Sequence, residues 1–158
     1  MGRTVLVALL LFTACSSGGP EPVPGPDPDT RLEIRTDGGV VEVVVEVVVE
    51  VADEDDERNV GLMNRERLDP DAGMVFLWDE PLHATFWMKD TLIPLSIAFW
   101  DDRNEIVSIL DMEPCAADPC PSYDPETEFE GALEVNQGFF EEHGVEVGDT
   151  VELIEPAP

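Results

Sequence analysis

Residues 40–52 alternate valine with glutamate so regularly that only one regular conformation suits them. As a helix the segment would stack Glu42, Glu46 and Glu50 at four-residue intervals, a repulsive stripe among β-branched residues of poor helix propensity. As a strand it places Val41, Val43, Val45, Val47, Val49 and Val51 on one face, with Glu42, Val44, Glu46, Val48 and Glu50 on the other. Such a strand requires a sheet that covers its valine face, and its glutamates act against edge pairing and aggregation. Just upstream, residues 32–36 and the turn Asp37-Gly38-Gly39 supply the other arm of a hairpin, because this turn readily provides positive φ.

The remaining chain punctuates itself in the same way. Asp53 is placed to cap a helix over residues 54–63, whose acidic first turn suits the helix dipole. After a loop through Asp69-Pro70-Asp71, strands are expected at 73–78 and 84–89, and a second hairpin at 96–100 and 105–110 around residues 101–104. Residues 129–135 read as a further strand, 137–143 as a short helix ended by Gly144, and 145–154 as a last strand with a turn at Gly148-Asp149. This predicts an α+β, mostly β domain: a strongly bent antiparallel sheet or small β-barrel with two short helices. No repeat of domain-building length is present.

The termini carry different signals. A basic start at residues 1–3 and a continuous apolar run at 5–12 precede Thr13, Ala14 and Cys15. This run is too short to cross a bilayer core, which needs about 20 residues, so it reads as an export signal over residues 1–14. Leu11-Phe12-Thr13-Ala14-Cys15 resembles a prokaryotic lipobox, in which the cysteine is diacylated and becomes the first mature residue; Phe12 stands where Leu is usual. The alternative is an ordinary signal peptide with an incidental cysteine. Residues 15–30, with Pro20, Pro22, Pro24, Pro26 and Pro28 in alternation, form an extended linker. A single domain is expected over 31–155, with a tail at 156–158.

Charge then excludes whole classes of partner. The chain has 36 acidic and 8 basic side chains, a formal net charge of −28. Nucleic acid is excluded, because phosphate binding needs clustered Lys and Arg. Anionic headgroups would repel the domain, leaving a lipid anchor as its membrane contact. Self-repulsion of this size is screened only when the Debye length shrinks to about 3 Å near molar salt. The expected setting is therefore the outer side of a prokaryotic cell membrane in a halophile, with an acidic mesophile protein as the alternative.

Four segments carry a family resemblance: Glu57-Arg58-Asn59-Val60-Gly61-Leu62-Met63, Gly73-Met74-Val75-Phe76, Phe86-Trp87-Met88-Lys89-Asp90-Thr91-Leu92-Ile93-Pro94-Leu95, and Met112-Glu113-Pro114-Cys115. In order and spacing they resemble the domain of unknown function 192 family (DUF192, uncharacterised protein family 0127), over about residues 40–153. The resemblance implies a small, often exported prokaryotic domain with no agreed activity, so it transfers no catalytic residue. Asp90 and Ser96 depart from the family pattern, where Asn and Asp are common.

Candidate chemistry rests on few residues. Lys89 is the only lysine in the chain. A lone ammonium in a negative field has its pKa raised, which favours a charge anchor over a nucleophile. It is expected to bind an anion or to pair with Asp90 or Glu113. Arg58 is placed either to grip a carboxylate beside it through bidentate geometry or to make a helix ion pair with Glu54. Alternation puts Phe86 and Met88 on one face and Trp87 and Lys89 on the other, so an open second face would make a small cleft.

The leading expectation is a non-catalytic module for a small polar or anionic ligand, with Arg58, Trp87, Lys89, Asp90 and Glu113 as its site. The rivals are a hydrolase using Glu113 with Asp111 and a structural envelope protein that binds another protein through its valine strand. No cofactor is expected. A copper site from Met63, Met74, Met88, Met112 and His83 matches no ligand spacing, so no metal is expected either. Cys115 and Cys120 are expected to form a disulfide in an oxidising compartment.

Overall fold

The computed structural model describes residues 30–37 and 42–156. The export signal, the lipobox with Cys15, and nearly all of the linker lie outside these residues, as do Gly38 and Gly39 of the first turn. Among the described residues nine strands and two short helices follow in order: β1 (Arg31–Asp37), β2 (Glu42–Ala52), α1 (Asp55–Val60), β3 (Ala72–Leu82), β4 (Phe86–Trp87), β5 (Leu95–Trp100), β6 (Ile106–Met112), β7 (Ser122–Tyr123), β8 (Phe129–Asn136), α2 (Phe139–His143) and β9 (Thr150–Ile154).

Seven strands form one sheet in the order β6-β5-β8-β3-β2-β1-β9, while β4 and β7 make a separate two-stranded ribbon. The large sheet curls strongly into a half-barrel. Its two outermost strands approach each other at one end, where Ile106 N donates to Asp149 O (2.7 Å) and Val151 N donates to Asn104 O (2.9 Å). The architecture is the expected mostly β, strongly bent sheet with two short helices. All pairs are antiparallel except β2 with β3, which run parallel because the chain returns through α1 and a long loop before re-entering the sheet.

The valine strand follows its alternation from Val45 onward, while Val43, expected on the inner face, is 47% exposed at the strand's start. Val45, Val47 and Val49 are buried, and Val44 is exposed. Every strand of the sheet contributes to this inner cluster, which α2 closes with Phe139 and Phe140. β2 is not an edge strand, however: β1 and β3 occupy its two sides. Its glutamates therefore do not guard an edge. Glu46 lies 3.7 Å from Arg31, and Glu50, almost buried, is gripped by both terminal nitrogens of Arg65.

The opposite face carries a second apolar cluster that includes Met74, Phe76, Leu95, Ile97, Phe99 and Phe129, covered by Leu62, Met88 and Phe86 from outside the sheet. The residues weighed and set aside for copper have other places here. Met74, Met88 and Met112 are core side chains, and His83 Nε2 meets Asp124 Oδ1 at 2.8 Å.

Helix α1 is shorter than the pattern predicts, and Glu54 rather than Asp53 is its N-cap. The Glu57 carboxylate accepts the backbone N–H groups of both Asp53 (3.3 Å) and Glu54 (3.2 Å), which fixes the start one residue later. Gly61 at φ +48° ends the helix and lets Leu62 turn into the core. The strand expected over 84–89 shrinks to β4. Its partner β7 was hidden in a proline-flanked loop with no alternation to reveal it.

Candidate functional site

A pocket of about 250 Å³ opens between α1, the end of β3 and β4. Its walls are aromatic, with Phe76 and Trp78 from β3 and Phe86 and Trp87 from β4; Asp55, Arg58 and Asn59 supply the polar side. Alternation along the short β4 sets the split. Phe86 packs edge-on to Phe76 (5.4 Å) and Phe99 (5.3 Å) and anchors the strand in the core. Its neighbour Trp87 consequently points outward and stays 53% exposed.

Arg58 is held in place. Its Nη1 donates to Leu77 O (2.8 Å) and to Asp53 O, its Nη2 donates to Asp55 Oδ1 (2.6 Å), and its guanidinium lies 5.4 Å over the Trp78 ring. The expected ion pair with Glu54 does not form. Glu54 sits at the cap, outside the helix, whereas Asp55 lies one turn below Arg58 at three-residue spacing.

Lys89 stands beside this pocket without lining it. Its ammonium lies 5.6 Å over the Trp87 ring and donates to Asp118 Oδ2 at 2.9 Å. The partner is thus Asp118 rather than Asp90 or Glu113, and its hydrogen bond and charge raise the Lys89 pKa above the ordinary lysine value. Asp118 belongs to the loop closed by the Cys115–Cys120 disulfide. Cys115 is bonded in turn to the segment after β4: Asp90 N donates to Cys115 O (2.9 Å) and Cys115 N to Thr91 O (3.2 Å). The disulfide loop, Lys89 and Trp87 therefore form one connected wall.

Asp90 and Glu113 are elsewhere employed. Asp90 occupies the left-handed region at φ +54°, and its carbonyl accepts the Asn64 N–H at 2.7 Å. Asp, like Asn, tolerates positive φ better than most residues. Glu113 accepts from Gln137 Nε2 at 3.2 Å, while Asp111 accepts from the Ser96 hydroxyl. Ser96 is buried and also accepts the Gly138 N–H at 2.9 Å, which ties β5 to the entry of α2. Of the five expected site residues the structure brings Arg58 and Trp87 into one pocket, sets Lys89 at its margin, and leaves Asp90 and Glu113 outside it. Among the described residues no group of three or more His, Cys, Asp or Glu side chains is arranged to hold a metal.

Sequence reasoning did not find Asp55, Asn59 or Thr85, which reach the pocket through the approach of α1 to β4. It also passed over Glu134, a carboxyl on the central strand β8 that is only 5% exposed. A signal existed: Ala132-Leu133-Glu134-Val135 is nearly continuous apolar sequence, as in strands buried on both faces, and a glutamate inside it has no solvent side to occupy.

Comparison with known proteins agrees with this architecture. A search of curated proteins finds no match. Among solved structures, a candidate transcription regulator from Sinorhizobium meliloti 1021 superposes with a TM-score of 0.70 at 27% identity, covering 78% of this chain and 93% of that one. A protein of unknown function from Novosphingobium aromaticivorans DSM 12444 superposes with a TM-score of 0.69 at 29% identity, covering 77% of this chain and 83% of that one. The profile of DUF192, described as "Uncharacterized ACR, COG1430", matches residues 34–153, and the chain belongs to that family.

Proposed function

We propose that this DUF192 member is a non-catalytic binding module on the outer side of a cell membrane, which takes a small polar or anionic ligand in the pocket beside α1. The observation that carries this reading is the pairing of an immobilised guanidinium with an unburied indole. Arg58 is fixed by two backbone carbonyls, and Trp87 is left more than half exposed across the same pocket. A volume of 250 Å³ lies just below the roughly 300 Å³ at which drug-sized ligands begin to be enclosed, so the ligand is compact.

Trp87→Ala removes a wall without opening the core. In a thermal-shift screen of small metabolites in molar salt, compounds that stabilise the natural chain should lose that effect in Trp87→Ala while the unliganded melting temperature stays within a few degrees. A compound that stabilises both equally sinks this seat.

The lipobox, the proline-rich spacer and the Cys115–Cys120 disulfide together support an anchored, extracytoplasmic location. Intact mass of the membrane-extracted, unreduced protein should show a lipid increment on Cys15 and no free thiol. An unmodified Cys15 contradicts the anchor. The acidic surface supports a hypersaline medium. It speaks against carrying over DNA binding from the name of the Sinorhizobium neighbour, because 8 basic residues among 36 acidic ones leave little to neutralise phosphates. Hydrolysis by Glu113 with Asp111 draws no support from their placement, since neither lines the pocket.

A further inference from the structure

We propose that the ligand of this pocket carries a carboxylate, received by the unused edge of the Arg58 guanidinium, on an apolar body that rests against Trp87. This deepens the reading of the pocket as a ligand seat and rests on it. Three features of the molecule point to an anion of this kind.

The first is donor arithmetic. A guanidinium has five N–H donors. Arg58 spends both on Nη1 on carbonyls and one on Nη2 on Asp55. Nε–H and the second N–H of Nη2 have no partner among the described residues, and a planar carboxylate is the group whose two oxygens fit a guanidinium fork.

The second is the treatment of the indoles. Each tryptophan beside the pocket already carries a cation of the protein itself, Arg58 over Trp78 and Lys89 over Trp87. A cationic ligand would meet two positive groups at the rings that otherwise attract it. Arg58 is matched by Asp55 and Lys89 by Asp118, so in a chain of net charge −28 this corner is locally near neutral, and it favours an anion once the exposed Asp55 side chain is displaced.

The third is Asp55. Its carboxylate already sits on Nη2, yet its side chain is 95% exposed and makes no other hydrogen bond or ion pair among the described residues. It marks the chemistry that Arg58 selects and is free to swing into solvent when a better-placed carboxylate arrives. Molar salt shortens the reach of the protein's negative field to about 3 Å, so distant acidic residues no longer repel such a ligand.

Benzoate, benzamide and benzylammonium are compact probes of one shape and three charges. Binding is read by quenching of tryptophan fluorescence and by the Trp87 indole N–H resonance in molar potassium chloride. Benzoate should bind most tightly. Asp55→Asn removes the competing carboxylate and should tighten benzoate by roughly fivefold, about the scale of one exposed ion pair, while leaving benzamide unchanged. A damaged fold cannot produce that gain. Arg58→Lys keeps the charge but loses the fork, and should weaken benzoate alone. If benzamide or benzylammonium binds as tightly as benzoate, or Asp55→Asn leaves benzoate unchanged, the carboxylate inference is overturned and the pocket reading survives. If none of the three perturbs Trp87, both are overturned.

Discussion

Glu134→Gln should make the protein more stable by about 3 kcal/mol near pH 7, and the gain should vanish on acidification. Glu134 lies on β8 between β3 and β5, with Met74 and Ile97 directly across from it. It has no hydrogen bond or ion pair among the described residues. Burial alone pushes its carboxyl from 4.5 to about 8. A group whose folded pKa is raised binds its proton more tightly in the folded chain. Its contribution is complete below about pH 4.5 and is lost as pH rises toward about 8, at up to about 1.4 kcal/mol per pH unit. Glutamine has the same shape and no proton to lose, so it escapes this cost. Urea unfolding of both proteins in molar salt across this range should give curves that converge in acid and separate steadily up to about pH 8. Parallel curves would mean that the Glu134 carboxylate is solvated or paired in solution.

Glu134 also shows where legibility in the sequence stops. The β architecture could be read because alternation is a local property. Val45, Val47 and Val49 point inward for the reason that helix geometry would have stacked Glu42, Glu46 and Glu50. Gly144, in the left-handed region at φ +69°, ends α2 where a glycine after an aromatic helix predicts it. What was not legible depends on which strands become neighbours. The internal position of β2, the parallel β2–β3 pair and the small β4–β7 ribbon leave no periodic mark.

The pocket divides along the same line. Trp87 and Arg58 could be picked out singly, the first as an aromatic opposite a core phenylalanine and the second as a cation in an acidic helix. The partners that fix them could not. Asp118 reaches Lys89 from 29 residues away, and the Leu77 carbonyl reaches Arg58 from 19. Both contacts follow from the disulfide loop and the β3 end being folded against β4 and α1. Residue type predicted the chemistry, and topology chose the partner.

Gly131→Ala should cost about 3 kcal/mol, at the upper end of what an overpacked core site loses, although it adds a single methyl group. Gly131 pairs with Trp100 on β5 and with Leu77 on β3, near the middle of the sheet. The Trp100 indole lies across it so closely that an added Cβ would stand 2.2 Å from Cζ2 and 2.3 Å from Cε2. Those are atoms of a rigid bicyclic ring, itself 4% exposed and packed in the inner cluster with Ala98, Leu133 and Ile106, so the ring has no solvent to retreat into. Relief requires either that the indole leave its rotamer or that β8 move away from β5. Each spreads strain into the strand that also carries Glu134. Trp100→Leu in the Gly131→Ala background separates the two origins of the loss. If crowding against the ring is the cause, the second change removes most of the penalty that the alanine imposes, and the double variant is less destabilised than the sum of the single ones. Additive losses in urea unfolding would instead place the cost in the backbone of β8. A fully stable Gly131→Ala protein would show that Trp100 does not lie over this glycine in solution.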